Sequence, residues 1–242
     1  MIGLGFTLNG IHSDAYGILC KSQRELMPGR EAKELAVPGR HGTFEYGDPV
    51  FGKRTFVLTC TIQASTLPAM RSAARGIAAW LASATELIFD DDPGKRWTGR
   101  VYDAVGLDIV SVTGQFEFTF SAQPFAEDTV EQTATINGTA VDYGTQMHFY
   151  PVITVTYSAP GTSLLVLHQE SGQHIQLAGT FAAADVVVID MARGKVTRNG
   201  SAIMPAVALD SLFFGVPTGS QTITMTTDGA ATATMAYRRR YL

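Results

Sequence analysis

The sequence is poor in the features that most often announce a chemistry. Only two cysteines, Cys20 and Cys60, occur in 242 residues. That is too few for a disulfide framework, so they read as free, buried thiols acting as small hydrophobes. Charged residues make up 17% of the chain and the net charge is −4. General affinity for nucleic acid or for acidic membrane surfaces is thereby excluded, because both need a basic face. No apolar run approaches the ~20 residues of a membrane span. The first ten residues have neither the basic start nor the apolar stretch of a signal peptide. The expectation is a protein made in the cytosol that reaches the outside only inside an assembly.

Catalytic signatures are missing as well. The three Gly-Lys pairs, at Gly52-Lys53, Gly94-Lys95 and Gly194-Lys195, lack both the following Ser or Thr and the earlier Gly that a phosphate cradle requires. Gly3-Leu4-Gly5 has no third glycine at the dinucleotide step and no strand before it. No Gly-x-Ser-x-Gly elbow occurs. The histidines, His12, His41, His148, His168 and His174, do not have the spacing of a helical metal pair. No catalytic, cofactor-binding or metal-binding residue is assigned on these grounds, and the chain reads as a non-enzyme.

What is present is the pattern of β-structure. Residues 1–128 hold 12 of the 18 Lys and Arg and 15 of the 22 Asp and Glu, whereas 129–242 is rich in Thr, Ala, Val and Ser. This shift, with Gln123-Pro124-Phe125-Ala126-Glu127-Asp128 at the seam, predicts two domains, 1–128 and 129–242. In the first, Phe56, Leu58, Cys60 and Ile62 alternate with polar or smaller residues, and so do Phe116, Phe118 and Phe120; both are strands with one apolar face. Leu67, Met70, Ala74, Ile77 and Leu81 recur at helical steps and predict a helix over about 67–84, capped by Ser65 or Thr66 with Pro68 in the first turn. This half is α+β. In the second, alternation at Ile153–Tyr157 and Gln221–Thr226, short apolar runs at Leu164–Leu167 and Val186–Ile189, and turn signals at Asn199-Gly200 and Asp228-Gly229 predict a β-sandwich. Asn137-Gly138 is a third candidate turn. The fold class is mainly β with one helix.

Several segments have both a functional and a plain reading. Asp90-Asp91-Asp92 offers three carboxylates for a hard cation, or a turn completed by Pro93-Gly94. His168 and His174 flank a turn and are either a metal pair or two exposed turn histidines. Arg238-Arg239-Arg240, between Tyr237 and Tyr241, is a contact for a partner or phosphate, or a charged edge that blocks strand addition. If Ala230–Leu242 is one strand, Arg238 and Arg240 share a face. The stretch Met27–Asp48 is long, charged and rich in Pro and Gly, which suits an arm or binding surface.

Taken in order, Phe6-Thr7-Leu8-Asn9-Gly10, Ala15-Tyr16-Gly17-Ile18, Val37-Pro38-Gly39-Arg40-His41-Gly42, the helix, Leu87-Ile88-Phe89-Asp90-Asp91-Asp92 and Arg100-Val101-Tyr102 resemble the distal tail (Dit) family of long-tailed phages, also called the siphovirus tail component family. The resemblance covers residues 1–128 and extends to the second half only in kind. It implies a split-barrel-like ring-forming domain with one helix, followed by a galectin-like β-sandwich. It further implies a homo-oligomer, a hexameric ring at the distal end of the virion's tail. Such a ring joins the tail tube protein to the tail-associated tip protein, and in many phages to receptor-binding proteins. DNA passes through the bore without specific binding, and the family has no catalytic residues to carry over. The alternative from another class is a carbohydrate-binding module in the second half. That half contains no Trp, which leaves Tyr143, Phe149, Tyr150 and Tyr157 as stacking candidates.

Overall fold

Alternation of apolar and polar residues builds the first sheet. In the computed structural model, which describes residues 5–47 and 50–242, Arg54–Gln63 and Thr113–Ala122 pair antiparallel over ten registers. Phe56 lies opposite Phe120, Leu58 opposite Phe118 and Cys60 opposite Phe116. All six side chains are buried, because a period of two sends every second residue to the same face. The sheet continues outward on both sides in the order Ile11–His12, Phe6–Leu8, Glu86–Phe89, Lys95–Val101, Thr113–Ala122, Arg54–Gln63, Leu19–Arg24, with Leu107–Val110 attached to Thr113–Ala122. Lys95–Val101 serves both parts of this sheet. Trp97 lies opposite Leu87, and Gly99 opposite Ala122. A Cβ at Gly99 would collide with the backbone of Ser121 and Ala122, so the close crossing requires glycine.

The predicted helix spans Leu67–Ala82 and is the one α-helix among the described residues. Thr66 caps it, its hydroxyl accepting from the Ala69 amide at 3.3 Å, with Pro68 in the first turn. The buried face is Met70, Ile77, Trp80 and Leu81. Two details correct the predicted stripe: Leu67 is half exposed, and Trp80 replaces it as the anchor. The Trp80 ring stacks on Phe6 with centroids 5.6 Å apart, and its indole N–H donates to the Leu8 carbonyl. An aromatic with a polar handle thereby ties helix to sheet.

The chain divides into two compact units, one running through Glu127 and the other spanning Asp128–Tyr241. The second is two antiparallel sheets over one core. One sheet has the order Gln132–Thr135, Ala231–Tyr237, Val152–Tyr157, Val186–Asp190, Lys195–Arg198, Ser201–Ala202. The other is Ala140–Asp142, Ser220–Thr227, Gly161–His168, His174–Phe181. Ile153, Val155 and Tyr157 from the first sheet and Leu164, Val166, Ile175 and Leu177 from the second meet in the shared core, the arrangement of a β-sandwich.

Of the three predicted turns, one is a hairpin. Asn199 (φ 48°) and Gly200 (φ 83°) take the left-handed conformations of a two-residue hairpin between Lys195–Arg198 and Ser201–Ala202. Asp228-Gly229 is not a hairpin: Ser220–Thr227 pairs with Ala140–Asp142 and Gly161–His168, whereas Ala231–Tyr237 belongs to the other sheet. Asn137-Gly138 likewise links strands of different sheets. At Asp228 the carboxylate accepts from the Thr162 hydroxyl and from the amides of Thr162 and Ser163, at 2.8 and 2.9 Å. These bonds fix the corner. They also hold the Asp228 carboxyl well below the usual range, first through the Thr162 hydroxyl and then through the two amides.

Two predictions follow from these packings. Phe118→Ala, at a site 2% exposed, should cost about 3–5 kcal/mol in a denaturant melt. For Asp228 the folded state prefers the anion, so its contribution is complete above the unfolded-state value of about 4 and fades as the pH falls further. Asp228→Asn should therefore be less stable than the natural chain at neutral pH, with the gap closing in melts at progressively lower pH. A gap that does not change with pH would show that the anion is not what holds the corner.

Candidate functional site

The segment Met27–Asp48 forms an arm, with Asp48 and the following Pro49 outside the described residues. Arg30–Glu31 pairs with Val50–Phe51 near its root, and Glu34–Ala36 pairs with Thr43–Glu45 towards its tip. The tip turns at Val37-Pro38-Gly39-Arg40, where the Arg40 amide donates to the Val37 carbonyl and Gly39 has φ 81°. Pro second and a left-handed Gly third is the chemistry of a type II turn. Leu35 lies directly opposite Phe44, and Val37 and Tyr46 fall on the same face by the period of two. Leu35, Phe44 and Tyr46 are each more than half exposed, and Val37 is 40% exposed. Glu34, Glu45 and Thr43 occupy the other face. The arm is an amphipathic hairpin whose apolar side is uncovered by its own chain.

Its root, in contrast, is fastened. Arg54 is buried, donates to the Leu26 carbonyl and lies over the Trp97 ring at 4.7 Å. Burial lowers the Arg54 pKa, and the Glu25 carboxylate opposes that shift. The Gly52 amide donates to the Gly29 carbonyl at 2.8 Å. Phe51 packs edge-on against Phe125 and carries the Arg30 guanidinium over its face. The root is thus fixed while the apolar side chains of the tip stay exposed.

The acidic cluster is not gathered around a common point. Asp90 lies 3.0 Å from the His12 imidazole and Asp91 2.9 Å from the Arg24 guanidinium. The Asp92 backbone closes a turn, donating to Phe89 and accepting from Lys95. Among the described residues no group of three metal-ligating side chains is assembled. The turn reading is the one that the geometry fits. His168 departs from both of its readings. It is 1% exposed and stacks on Phe214, and its ring nitrogens sit 2.7 Å from the Ser171 hydroxyl and 2.9 Å from the Gln221 side-chain oxygen. Both nitrogens are thus engaged in the structure, and His174 is placed 3.5 Å from Asp210 instead.

The three arginines near the end are not a free basic edge. The strand stops at Tyr237 and Arg240–Tyr241 is a separate short strand in a different sheet, so no face is shared along one continuous strand. Arg238 donates to the carbonyls of Asp128 and Thr129, and Arg239 to the Asp128 carboxylate at 2.6 Å. Arg240 lies over Tyr150. Of the sugar-stacking candidates, Tyr143, Phe149 and Tyr157 are core residues and Tyr150 is 39% exposed.

One feature escaped the sequence reading. Ala74, Ala78 and Ala82 on the helix, with Ile77 and Leu81, face Ile62, Leu107 and Phe116 across an apolar depression of about 300 Å³, rimmed by Asp103 and Val105. Alanines every fourth residue leave a hollow beside a helix, and that spacing was the available signal.

Comparison with known proteins bears on both units. Residues 12–122 match the model of the phage tail protein RIFT-related domain, and residues 144–241 match that of the siphovirus-type tail component, C-terminal domain. Among solved structures, the crystal structure of the Dit protein of phage SPP1, described as a paradigm of the hub adsorption apparatus in phages infecting Gram-positive bacteria, aligns with a TM-score of 0.84 at 15% identity over 99% of both chains. A chain of the phage p2 baseplate in its activated conformation with Sr aligns with a TM-score of 0.50 at 9% identity, over 98% of this chain and 97% of that one. No curated protein sequence matches. Among the described residues no helix is long and apolar enough to cross a membrane.

The paired carboxylates make a prediction of their own. Calcium added to the purified protein should leave its melting temperature unchanged, and Asp91→Ala should cost no more than about 1 kcal/mol, as for other exposed ion pairs. A calcium-dependent rise in melting temperature would reinstate the cation site.

Proposed function

The chain belongs to the siphovirus-type distal tail (Dit) family, and from that premise we propose that this phage tail component closes into a hexameric ring at the distal end of the tail tube. In this reading the ring joins the tube protein to the tail-associated tip protein and presents a surface for receptor-binding proteins. DNA passes through its bore without specific binding, and the chain does no chemistry. Residues 1–128 form the ring and 129–242 the outer, galectin-like sandwich. The observation that carries the proposal beyond family membership is the arm. A ring needs a heterologous contact, one patch meeting a different patch on the next copy, that closes on itself. An amphipathic hairpin with a fastened root and an apolar face uncovered by its own chain is suited to be one side of such a contact. The net charge of −4 is compatible with a bore that DNA does not adhere to. The geometry does not favour the carbohydrate reading, because Tyr143, Phe149 and Tyr157 lie in the core.

Negative-stain images of the purified natural chain, or of tails assembled from it, should contain closed rings. Leu35→Asp combined with Phe44→Asp should remove the rings. Both positions are exposed, so the stability of the single chain should change by no more than about 0.5 kcal/mol. Rings that persist in the double variant would dismiss the arm as the closing contact. Absence of rings from both purified protein and assembled tails would dismiss the hub.

A further inference from the structure

Cys20 and Cys60 are the only cysteines of the chain, and the arm lies between them in sequence. The fold brings them together. Leu19–Arg24 and Arg54–Gln63 pair antiparallel with Cys20 directly opposite Cys60. Directly opposed residues in such a pair have Cα atoms about 4.5–5.5 Å apart, inside the roughly 4.4–6.8 Å span of a disulfide. Their side chains leave the sheet on the same face. Cys60 is fully buried and Cys20 is 8% exposed. Leu19–Arg24 is the last strand on its side of the sheet, so Cys20 can be reached by local opening of an edge without disturbing the core ladder. Chemistry favours an order of events. The neighbouring Cys60 and the charge of Arg24 lower the Cys20 pKa against the opposing effect of burial, whereas Cys20 and burial push Cys60 up. Cys20, on the last strand of the order and the less buried of the two, is the one a peroxide reaches first, so it is the attacking member, as its thiolate, and Cys60 the resolving one.

We propose that Cys20 and Cys60 are a site of reversible oxidation, closing a cross-strand disulfide within the chain when the protein meets a peroxide outside the reducing cytosol. The Cys20 thiolate attacks a peroxide oxygen, the O–O bond breaks, and hydroxide leaves, giving a sulfenic acid. The Cys60 sulfur then attacks the Cys20 sulfur, the S–O bond breaks, and the Cys60 proton leaves with the departing hydroxide as water. In total, two thiols and one hydrogen peroxide give one disulfide and two waters. The bond would bracket the arm and tie the strand that enters it to the strand that leaves it. It would stabilise the unit by restricting the unfolded chain. The pairing rests on the register and burial of two strands and not on the closure of a ring.

The test uses the full-length protein treated with hydrogen peroxide near stoichiometry. The expected results are loss of both titratable thiols under denaturing conditions and a non-reducing peptide map that links Cys20 to Cys60 within one chain. A melting temperature raised by roughly 5–10 °C and restored by dithiothreitol should accompany them. Cys20→Ser and Cys60→Ser should each abolish the rise. Two thiols still titratable after prolonged exposure would overturn the proposal. So would over-oxidised Cys20 beside a free Cys60, disulfides formed only between chains, or an equal rise in the serine variants.

Discussion

Arg54–Gln63 and Thr113–Ala122 pair over ten successive registers, and the rest of the first unit takes its position from that ladder. One face of it presents Phe56, Leu58, Cys60 and Ile62 beside Phe116, Phe118 and Phe120, all buried. The helix covers this face through Met70, Ile77, Trp80 and Leu81, and Phe6 bridges Trp80 and Phe118 by ring contacts on both sides. A slip of one residue in the ladder would turn every one of these side chains to the opposite face. The register is therefore over-determined, and it supplies a rigid platform from which Arg54 can hold the root of the arm.

The second unit meets the same demand, one apolar face per sheet, with two sheets against each other instead of a sheet against a helix. The chain must then cross repeatedly between the sheets, and the crossings are where local chemistry is most exacting. At Gly229 a Cβ would meet the Pro160 carbonyl at 2.6 Å, so the corner accepts no side chain there, and Asp228 secures it by gathering the amides of Thr162 and Ser163. His168 shows the cost of placing a polar group inside such a core. It is tolerated because Ser171 and Gln221 satisfy both ring nitrogens, as buried polar groups require.

Period-two and helical alternation were legible in the residues themselves, because burial acts on each strand locally. The strands around Phe56 and Phe118, the helix and its Thr66 cap, and the β-sandwich character of the second half could all be read that way. The destination of a turn could not. Asn199-Gly200 and Asp228-Gly229 look alike in sequence, yet one joins neighbours in a sheet and the other joins sheets, which is decided by the pairing of Ser220–Thr227 with Gly161–His168 far along the chain. The same holds for side-chain partners. Asp91 is neutralised by Arg24 and Asp90 faces His12, each across more than sixty residues, so an apparent cation cluster resolves into separate pairs. Trp80 gave no hint of its importance, since its role comes from Phe6, Tyr16 and the Leu8 carbonyl.

In the proposed ring, the arm separates the adhesive surface from the core. Leu35 and Phe44 contribute nothing to the ladder or to either hydrophobic cluster and are each about half exposed, so apolar area remains there for the proposed contact. Had the same residues been placed on the main sheet, a change that tuned the proposed contact between copies would also have disturbed the packing around Phe118. Placing them on a hairpin fastened by Arg54, Gly52 and Phe51 decouples the two requirements. In the proposed contact the root limits the conformational entropy lost on association, since a contact made by a preorganised element costs less ordering than one made by a free loop. Reach is supplied by the hairpin and rigidity by the ten-register ladder, and the two meet at Arg54, the first residue of one of its two strands.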